Sequence, residues 1–426
     1  MKRLMAAMMF AALATASAAQ AQYSVGALYN KLTLGPTDDN PCTRTWYDPE
    51  LYTMPNGDLR FIAQGGAPNA CMSQPWDSIF GATRASAGGA WTTPGYSYTT
   101  HQTDCPTLFG QYTRCNYNSN NSIGAPISSP SVIRLPNSNS ASGWRYFMAF
   151  PGGNADYIEG RIYWAYSDDG QSWTVYNWNA TEVWKAIITA KYTRNASQPS
   201  SDYSCAAPSG FGQLQIAYEN GLIYIYGMYY HSNGSLSPLI YRFDYSSAHP
   251  FGFGPSVRQI YFLGSWQSHS GNLVWNYDKD VNGNQLPVDS FNGVADPVLV
   301  PNGSLDSTGY GFGAGDLKYG NGKWVHVRAF GPHVYVQTAT SLTDPTTGNA
   351  SSWSAESIID YTNVRNAYPA TNEGFSPGLW YGNLGTGNHW WIFIPVNWEN
   401  PLCGDGGGAE GNAIVPAILC TPDAPC

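Results

Sequence analysis

One pattern of strands recurs five times along this chain, and that repetition constrains its fold more than any other feature. Each copy starts with a short strand, often opened by an X-Pro step. A turn containing Asn or Gly follows, then a strand rich in aromatic and β-branched residues, then a further strand. The copies run over Asp48–Gly66 with Ser78–Trp91; Ser129–Asn137, Trp144–Phe150 and Arg161–Trp173; Gly212–Tyr230 with Leu239–Ser246; Gly313–Phe330 with Val334–Trp353; and Phe375–Val396 with Ala413–Leu419. Tyr218-Glu219-Asn220-Gly221 aligns with Tyr319-Gly320-Asn321-Gly322, both at the turn between a first and a second strand.

Multi-stranded repeats of this length predict an all-β, five-bladed β-propeller. A Greek-key sandwich is the rival architecture, but it does not need the same unit to recur. The long Gly-, Ser- and Asn-rich stretches Thr92–Ile127 and Ser247–Gly311 are expected as loops. Val25–Leu34 is expected beside the last blade, closing the ring and covering an open edge. No linker divides the copies, so residues 22–426 are read as a single domain.

Composition agrees. Charged residues make up 12% of the chain and aromatics 15%, with 46 glycines and 29 prolines. That is too little Ala, Leu, Glu and Lys for a helical bundle. It is also too apolar, at 43% hydrophobic residues, for a disordered chain. Net charge is −9 and the basic residues form no run, which excludes nucleic acid and an anionic membrane surface as expected partners.

Lys2 and Arg3, the apolar stretch Leu4–Ala18 and the step Ala19-Gln20-Ala21 read as a bacterial-type signal peptide over residues 1–21. A secreted or periplasmic location is therefore expected. No later apolar run is long enough for a membrane span, and a monomer is expected. Eight cysteines in an exported chain predict disulfides. Cys420 and Cys426 are placed to tie down the tail, and Cys105 and Cys115 to close a small loop. No C-x-x-C, H-E-x-x-H, G-x-S-x-G, P-loop or dinucleotide motif is present, so a zinc hydrolase, an α/β-hydrolase and a nucleotide enzyme are not indicated.

In a propeller, the start of each blade's first strand faces the mouth of the central channel. The five copies place there Asp48, then Ser129 or Ser131, then Ser209–Gln213, then Asp316, then Glu373. Three carboxylates near one axis suit glycoside hydrolysis, in which one protonates the leaving oxygen and another activates water or attacks the sugar. Trp46 and Trp380 are the candidate sugar platforms, because sugar C–H groups stack on rigid aromatic faces. His326 and His389 lie on predicted strands and are read as packed residues.

Three features carry a resemblance to a known family: the Asp48-Pro49 opening, the X-Pro steps of later copies and the Ser167–Trp173 ending, S-D-D-G-Q-S-W. Together they resemble the family 43 glycoside hydrolases, five-bladed propellers that include arabinanases and β-xylosidases. The same ending is similar, at one residue shorter, to the Asp box of sialidases. In either family Asp168 and Asp169 are structural, capping a hairpin beside a packed Trp173. The resemblance implies Asp48 as general base and Glu373 as general acid, although Glu373 opens the fifth copy where the family's acid lies on the fourth blade. It also implies a third carboxylate that tunes the acid or binds substrate, a place open to Asp316 or Asp296. No cofactor is expected, and the resemblance permits a Ca²⁺ ion in the channel.

The chain is thus expected to be a secreted glycosidase acting on poly- or oligosaccharides by carboxylate acid/base catalysis at the channel mouth. Two other readings stay open: a non-catalytic, lectin-like carbohydrate binder and a surface adhesion protein.

Overall fold

The computed structural model describes residues 23–30, 32, 46–67, 76–85, 91–92, 129–153, 159–176, 187–191, 210–230, 236–262, 265–268, 273–276, 315–330, 333–342, 354, 356–368, 376–399 and 410–426. Residues 1–21, read above as a signal peptide, Asp296, Glu373 and the cysteines Cys42, Cys71, Cys105, Cys115, Cys205 and Cys403 lie outside them.

The described chain is all-β apart from one short helix. It opens with β1 (Tyr23–Leu28). A four-stranded antiparallel sheet follows: β2 (Trp46–Thr53), β3 (Leu59–Ala67), β4 (Trp76–Arg84) and β5 (Trp91–Thr92). The next sheet holds β6 (Ser131–Pro136), β7 (Trp144–Gly153), β8 (Glu159–Ser167), β9 (Thr174–Val175) and β10 (Ile188–Lys191). A third consists of β11 (Gly210–Glu219), β12 (Leu222–Tyr230), β13 (Leu236–Tyr245), β14 (Phe253–Phe262) and β15 (Ser265–Ser268). The strand β16 (Leu273–Asn276) then returns to lie parallel to β10 at the edge of the second sheet.

The rest forms an eight-stranded sheet. Its first run is β17 (Gly315–Gly320), β18 (Lys323–Phe330), β19 (His333–Ala339) and β20 (Ser357–Asp360). After helix α1 (Thr362–Ala367) come β21 (Gly378–Asn383), β22 (Asn388–Glu399) and β23 (Glu410–Cys420). The N-terminal β1 joins the two runs, pairing antiparallel with β23 and parallel with β20. Leu32 continues the contact as a bridge to Ile414. β1 and Leu32, within or next to the Val25–Leu34 stretch expected there, therefore lie beside β23, and β1 covers two outer edges at once.

Local chemistry explains why the copies fold alike. Asn220 and Gly221 have φ of 52° and 81°, and Asn321 and Gly322 have 49° and 75°. Two consecutive left-handed residues form the tight turn whose twist matches paired strands, and Asn-Gly tolerates it best. The registers follow, with Glu219 opposite Leu222 and Gly320 opposite Lys323.

The first strand of each copy meets the first strand of the next. β2 touches β6, β6 touches β11, β11 touches β17, β17 touches β21, and β21 touches β2, which closes the circuit. Between consecutive strand groups lies a hydrophobic cluster. Tyr52, Ile62 and Ile79 of the first sheet meet Val132, Tyr146 and Met148 of the second. Phe147 and Trp164 meet Ile216 and Phe243, and Tyr224 and Tyr226 meet Leu317 and Trp324. Val327 and Val336 meet Leu379 and Ile392, and Trp391 and Phe393 meet Phe61 and Leu51. Each fully buried side chain of this kind contributes roughly 1.5–3 kcal/mol, so the aromatic-rich sequence supplies the cohesion between sheets.

Two sequence readings are refined. Ser247–Gly311 is not one long loop, since β14, β15 and β16 lie within it. Its apolar residues Phe253, Val257 and Ile260 are diluted by Gly and Pro, which hides the strand pattern. The S-D-D-G-Q-S-W turn is structural, as expected. Asp169 Oδ1 accepts from Ser167 Oγ at 2.8 Å and from the Gln171 and Ser172 amides at 2.7 Å. Asp168 accepts two hydrogen bonds from the Arg145 guanidinium, at 2.6 and 2.9 Å, and the Pro250 carbonyl accepts a third at 2.8 Å. Trp173 packs in the cluster between the first and second sheets. At the other end of the chain, Cys420 and Cys426 form a disulfide with a Cα separation of 5.2 Å.

Candidate active site

Asp48, Ser129 and Ser376 share a conformation that only a few residues here adopt. Their φ values are 48°, 41° and 38°, and each precedes a proline. A left-handed non-glycine residue before proline is strained, at roughly 1–3 kcal/mol each. The surrounding strands hold it there. The same kink at the head of β2, β6 and β21 turns three side chains toward one another.

Ser129 Oγ donates to Asp48 Oδ2 at 2.5 Å. The two serines are buried, whereas Asp48 keeps partial exposure. Its other oxygen, Oδ1, is shut off from solvent and finds no hydrogen-bond partner among the described residues. Burial pushes the Asp48 carboxyl above its ordinary range, the Ser129 and Ser376 hydroxyls pull it back, and the facing Asp316 adds to the rise.

Two residues further along β2 and β6, and at the matching places on the other inner strands, lies a second layer: Glu50, Ser131, Gln215, Asp316 and Gly378. Glu50 Oε1 accepts from the Val132 amide at 3.1 Å, linking β2 to β6. Ser131 Oγ accepts from the Ile216 amide at 3.0 Å, linking β6 to β11. Asp316 Oδ2 accepts from the Leu379 amide at 2.8 Å, linking β17 to β21. Gly378 closes the belt by having no side chain, because a Cβ there would sit 2.0 Å from the Pro49 carbonyl oxygen. Gln215 is 1% exposed, and neither polar atom of its amide has a partner among the described residues.

Lys318 fills the middle of this layer. Its ammonium lies 2.7 Å from Glu50 Oε2 and 3.0 Å from Asp316 Oδ1. Burial and the nearby Asp316 push the Glu50 carboxyl up to about 7 even though Lys318 pulls it down. Lys318 itself is pushed down by burial but held above its ordinary value by Asp316 and Glu50.

The sequence-predicted residues therefore separate. Asp48 lies near the head of β2, half-buried against Ser129. Asp316 does not share its level: it is 4% exposed, and its Oδ1 also accepts from the Leu317 amide at 2.7 Å. Its oxygens are taken up by backbone and by Lys318, so it is placed as an anchor between strands. Trp380, partly buried, packs against the cluster that holds Leu51, Phe61 and Trp391. The backbone of Trp46 pairs with Gly65 two residues before Asp48. His326 is buried on β18, where burial and Arg328 push its pKa down to about 3. His389 is bonded to the Thr386 carbonyl at a distant turn. Sequence reading missed Glu50 and Lys318. For Glu50 the signal was the spacing, since Asp48-Pro49-Glu50, Ser129-Pro130-Ser131 and Ser376-Pro377-Gly378 share one frame.

Among the described residues no group of three His, Cys, Asp or Glu side chains is arranged to hold a metal ion. Lys318 already supplies the positive charge between Glu50 and Asp316, so these axial residues do not fit a Ca²⁺ ion. No helix among the described residues is long and apolar enough to cross a membrane.

No protein-family model matches the chain. No curated protein matches it either. Solved structures do align with it. One is a family 117 glycoside hydrolase from the marine bacterium Zobellia galactanivorans, at 11% identity over 93% of this chain and 90% of that one, with a TM-score of 0.46. Another is the catalytic domain of a Coprinopsis cinerea GH62 α-L-arabinofuranosidase, at 9% identity over 94% and 97%, with a TM-score of 0.44. A GH43_1 enzyme from Xanthomonas citri aligns at 10% identity over 89% of each chain, with a TM-score of 0.42. At these scores the likeness assigns neither a substrate nor a residue role.

Proposed function

We propose that this chain is an exported five-bladed β-propeller glycosidase in which Asp48 is the general base. The observation that carries this reading is the state of the Asp48 carboxylate. It lies near the head of β2, one oxygen held by Ser129 at 2.5 Å and the other buried with no partner among the described residues. A general base needs a fixed orientation, an oxygen whose lone pairs are not spent on the protein and a pKa raised toward working pH. Glu373, three residues before Ser376 in the sequence, is the proposed acid. Asp296 is the proposed third carboxylate and Trp46 the proposed sugar platform. Asp316 is assigned to the belt and not to the chemistry. Each of the five strand groups is read as one blade.

The substrate class is a poly- or oligosaccharide. The test is sugar release by the purified chain from arabinan, xylan, fructan and pectic substrates. Release from at least one supports the reading; none from any, with binding retained on a glycan array, overturns it. A lectin-like binder is the second reading. The engagement of Asp316 favours it, because it removes one carboxylate from the predicted catalytic set.

A further inference from the structure

One ammonium joins two strands that the circuit keeps apart. Lys318 belongs to β17 and Glu50 to β2, and β21 lies between them in the circuit. Nζ of Lys318 is 2.8 Å from Glu50 Oε1 and 2.7 Å from Oε2. On its own strand it is 3.0 Å from Asp316 Oδ1. These carboxylate oxygens match its N–H donors in number. Lys318 is 16% exposed, Glu50 3% and Asp316 5% by side chain, so water screens this cluster little.

The two carboxylates are also held without the ammonium. Glu50 Oε1 accepts from the Val132 amide at 3.1 Å. Asp316 accepts from the Leu317 amide at 2.7 Å and the Leu379 amide at 2.8 Å. Backbone donors of the inner strands therefore keep both in place if Lys318 is shortened. Glu50 Oε2 has no other partner among the described residues, so loss of the ammonium leaves it bare. Removing one member of a buried ion cluster costs far more than replacing the whole cluster with neutral groups. Cutting Lys318 back to alanine opens a hole edged by Glu50 Oε1 and Oε2 and Asp316 Oδ1. Such hard oxygens suit Ca²⁺, which takes roughly six to eight of them and can complete its shell with water.

We propose that Lys318 is the resident cation of the axis: its ammonium takes the place of an inorganic cation between Glu50 and Asp316, and the chain needs no metal ion there. Charge balance at the axis is independent of whether Asp48 acts on a sugar. A lysine that merely filled space would give way to methionine at little cost, and its loss would create no cation site.

The experiment compares thermal unfolding of the native chain, Lys318→Ala and the double variant Lys318→Ala/Glu50→Gln, each with EDTA and with Ca²⁺. In EDTA, Lys318→Ala should unfold about 6–10 °C below native. Ca²⁺ at about 100 times its Kd should raise Lys318→Ala by about 5 °C more than it raises native protein. Calorimetric titration should show a Ca²⁺ site in Lys318→Ala that native protein lacks. Adding Glu50→Gln should abolish both effects. No excess Ca²⁺ response in Lys318→Ala, or one that survives loss of the Glu50 carboxylate, overturns the proposal. If Lys318→Ala folds neither with Ca²⁺ nor without it, Lys318→Met is compared with the neutral variant Lys318→Met/Glu50→Gln/Asp316→Asn. The neutral variant should unfold at the higher temperature, because no bare carboxylate remains. No gain over Lys318→Met would make the ammonium a matter of packing and overturn the proposal.

Discussion

Replacing Asp316 separates an anchor from a catalyst. Its carboxylate accepts from the Leu317 amide at 2.7 Å and the Leu379 amide at 2.8 Å, and pairs with Lys318 at 3.0 Å. Leu317 and Leu379 are both 0% exposed, so water cannot replace a lost acceptor. In Asp316→Ala two buried donors go unpaired, at about 1–3 kcal/mol each, which sums to about 4 kcal/mol. Asp316→Asn keeps one carbonyl oxygen for Leu379, and its cost should be about 1–2 kcal/mol. Thermal unfolding, at roughly 2 °C per kcal/mol for a large domain, should fall by several degrees in the alanine variant and by a few in the asparagine one. Turnover per folded molecule in Asp316→Asn should stay within about tenfold of native, short of the 10²–10⁴ expected for a missing general acid or base. A thousandfold loss of turnover at an unchanged unfolding midpoint would refute the assignment and return Asp316 to the chemistry.

Two further outcomes follow from the geometry. Gly378→Ala places a Cβ 2.0 Å from the Pro49 carbonyl oxygen, so β21 and β2 must part beside Asp48. The variant should lose about 2–3 kcal/mol in thermal unfolding and lose activity with it; native-like unfolding would contradict the belt's closure. Burial pushes Asp169 up, but the Ser172 and Gln171 amides and Ser167 outweigh it and hold its carboxyl below the ordinary range. A lowered folded pKa means stability present above the unfolded value, about 3.9, and lost as pH falls through the folded one. The unfolding gap between native protein and Asp169→Ala should therefore be full at neutral pH and narrow below about pH 4. A gap that widens in acid would contradict the cap.

Much of the architecture was legible because its determinants are local. Asn220-Gly221 and Asn321-Gly322 specify their turns by backbone chemistry alone, and the strands on either side follow in register. The Ser167–Trp173 turn was readable for the same reason. What escaped was long-range. The parallel return of β16 to β10 depends on a partner far away in the sequence, and no local pattern encodes it. Asp316 was placed level with Asp48 because both are acidic and near a blade opening. Register puts Asp316 instead with Glu50 and Ser131, whose side chains all hold the backbone of the next inner strand. The X-Pro-Y frame separates Asp48 at X from Glu50 at Y, but β17 has no proline and so gives no such mark for Asp316. Lys318 was invisible because an ion pair across an axis leaves no spacing to read.

The central claim is that Asp48 turns over a glycosidic bond. Its most direct test is the paired measurement of sugar release and glycan affinity for the native chain and Asp48→Asn on the same substrate. Asparagine is nearly isosteric and can still accept from Ser129, so folding and affinity should be unchanged. Release should fall by about 10²–10⁴-fold, the usual contribution of a general base. Release at the native rate from a correctly folded Asp48→Asn protein would contradict the account.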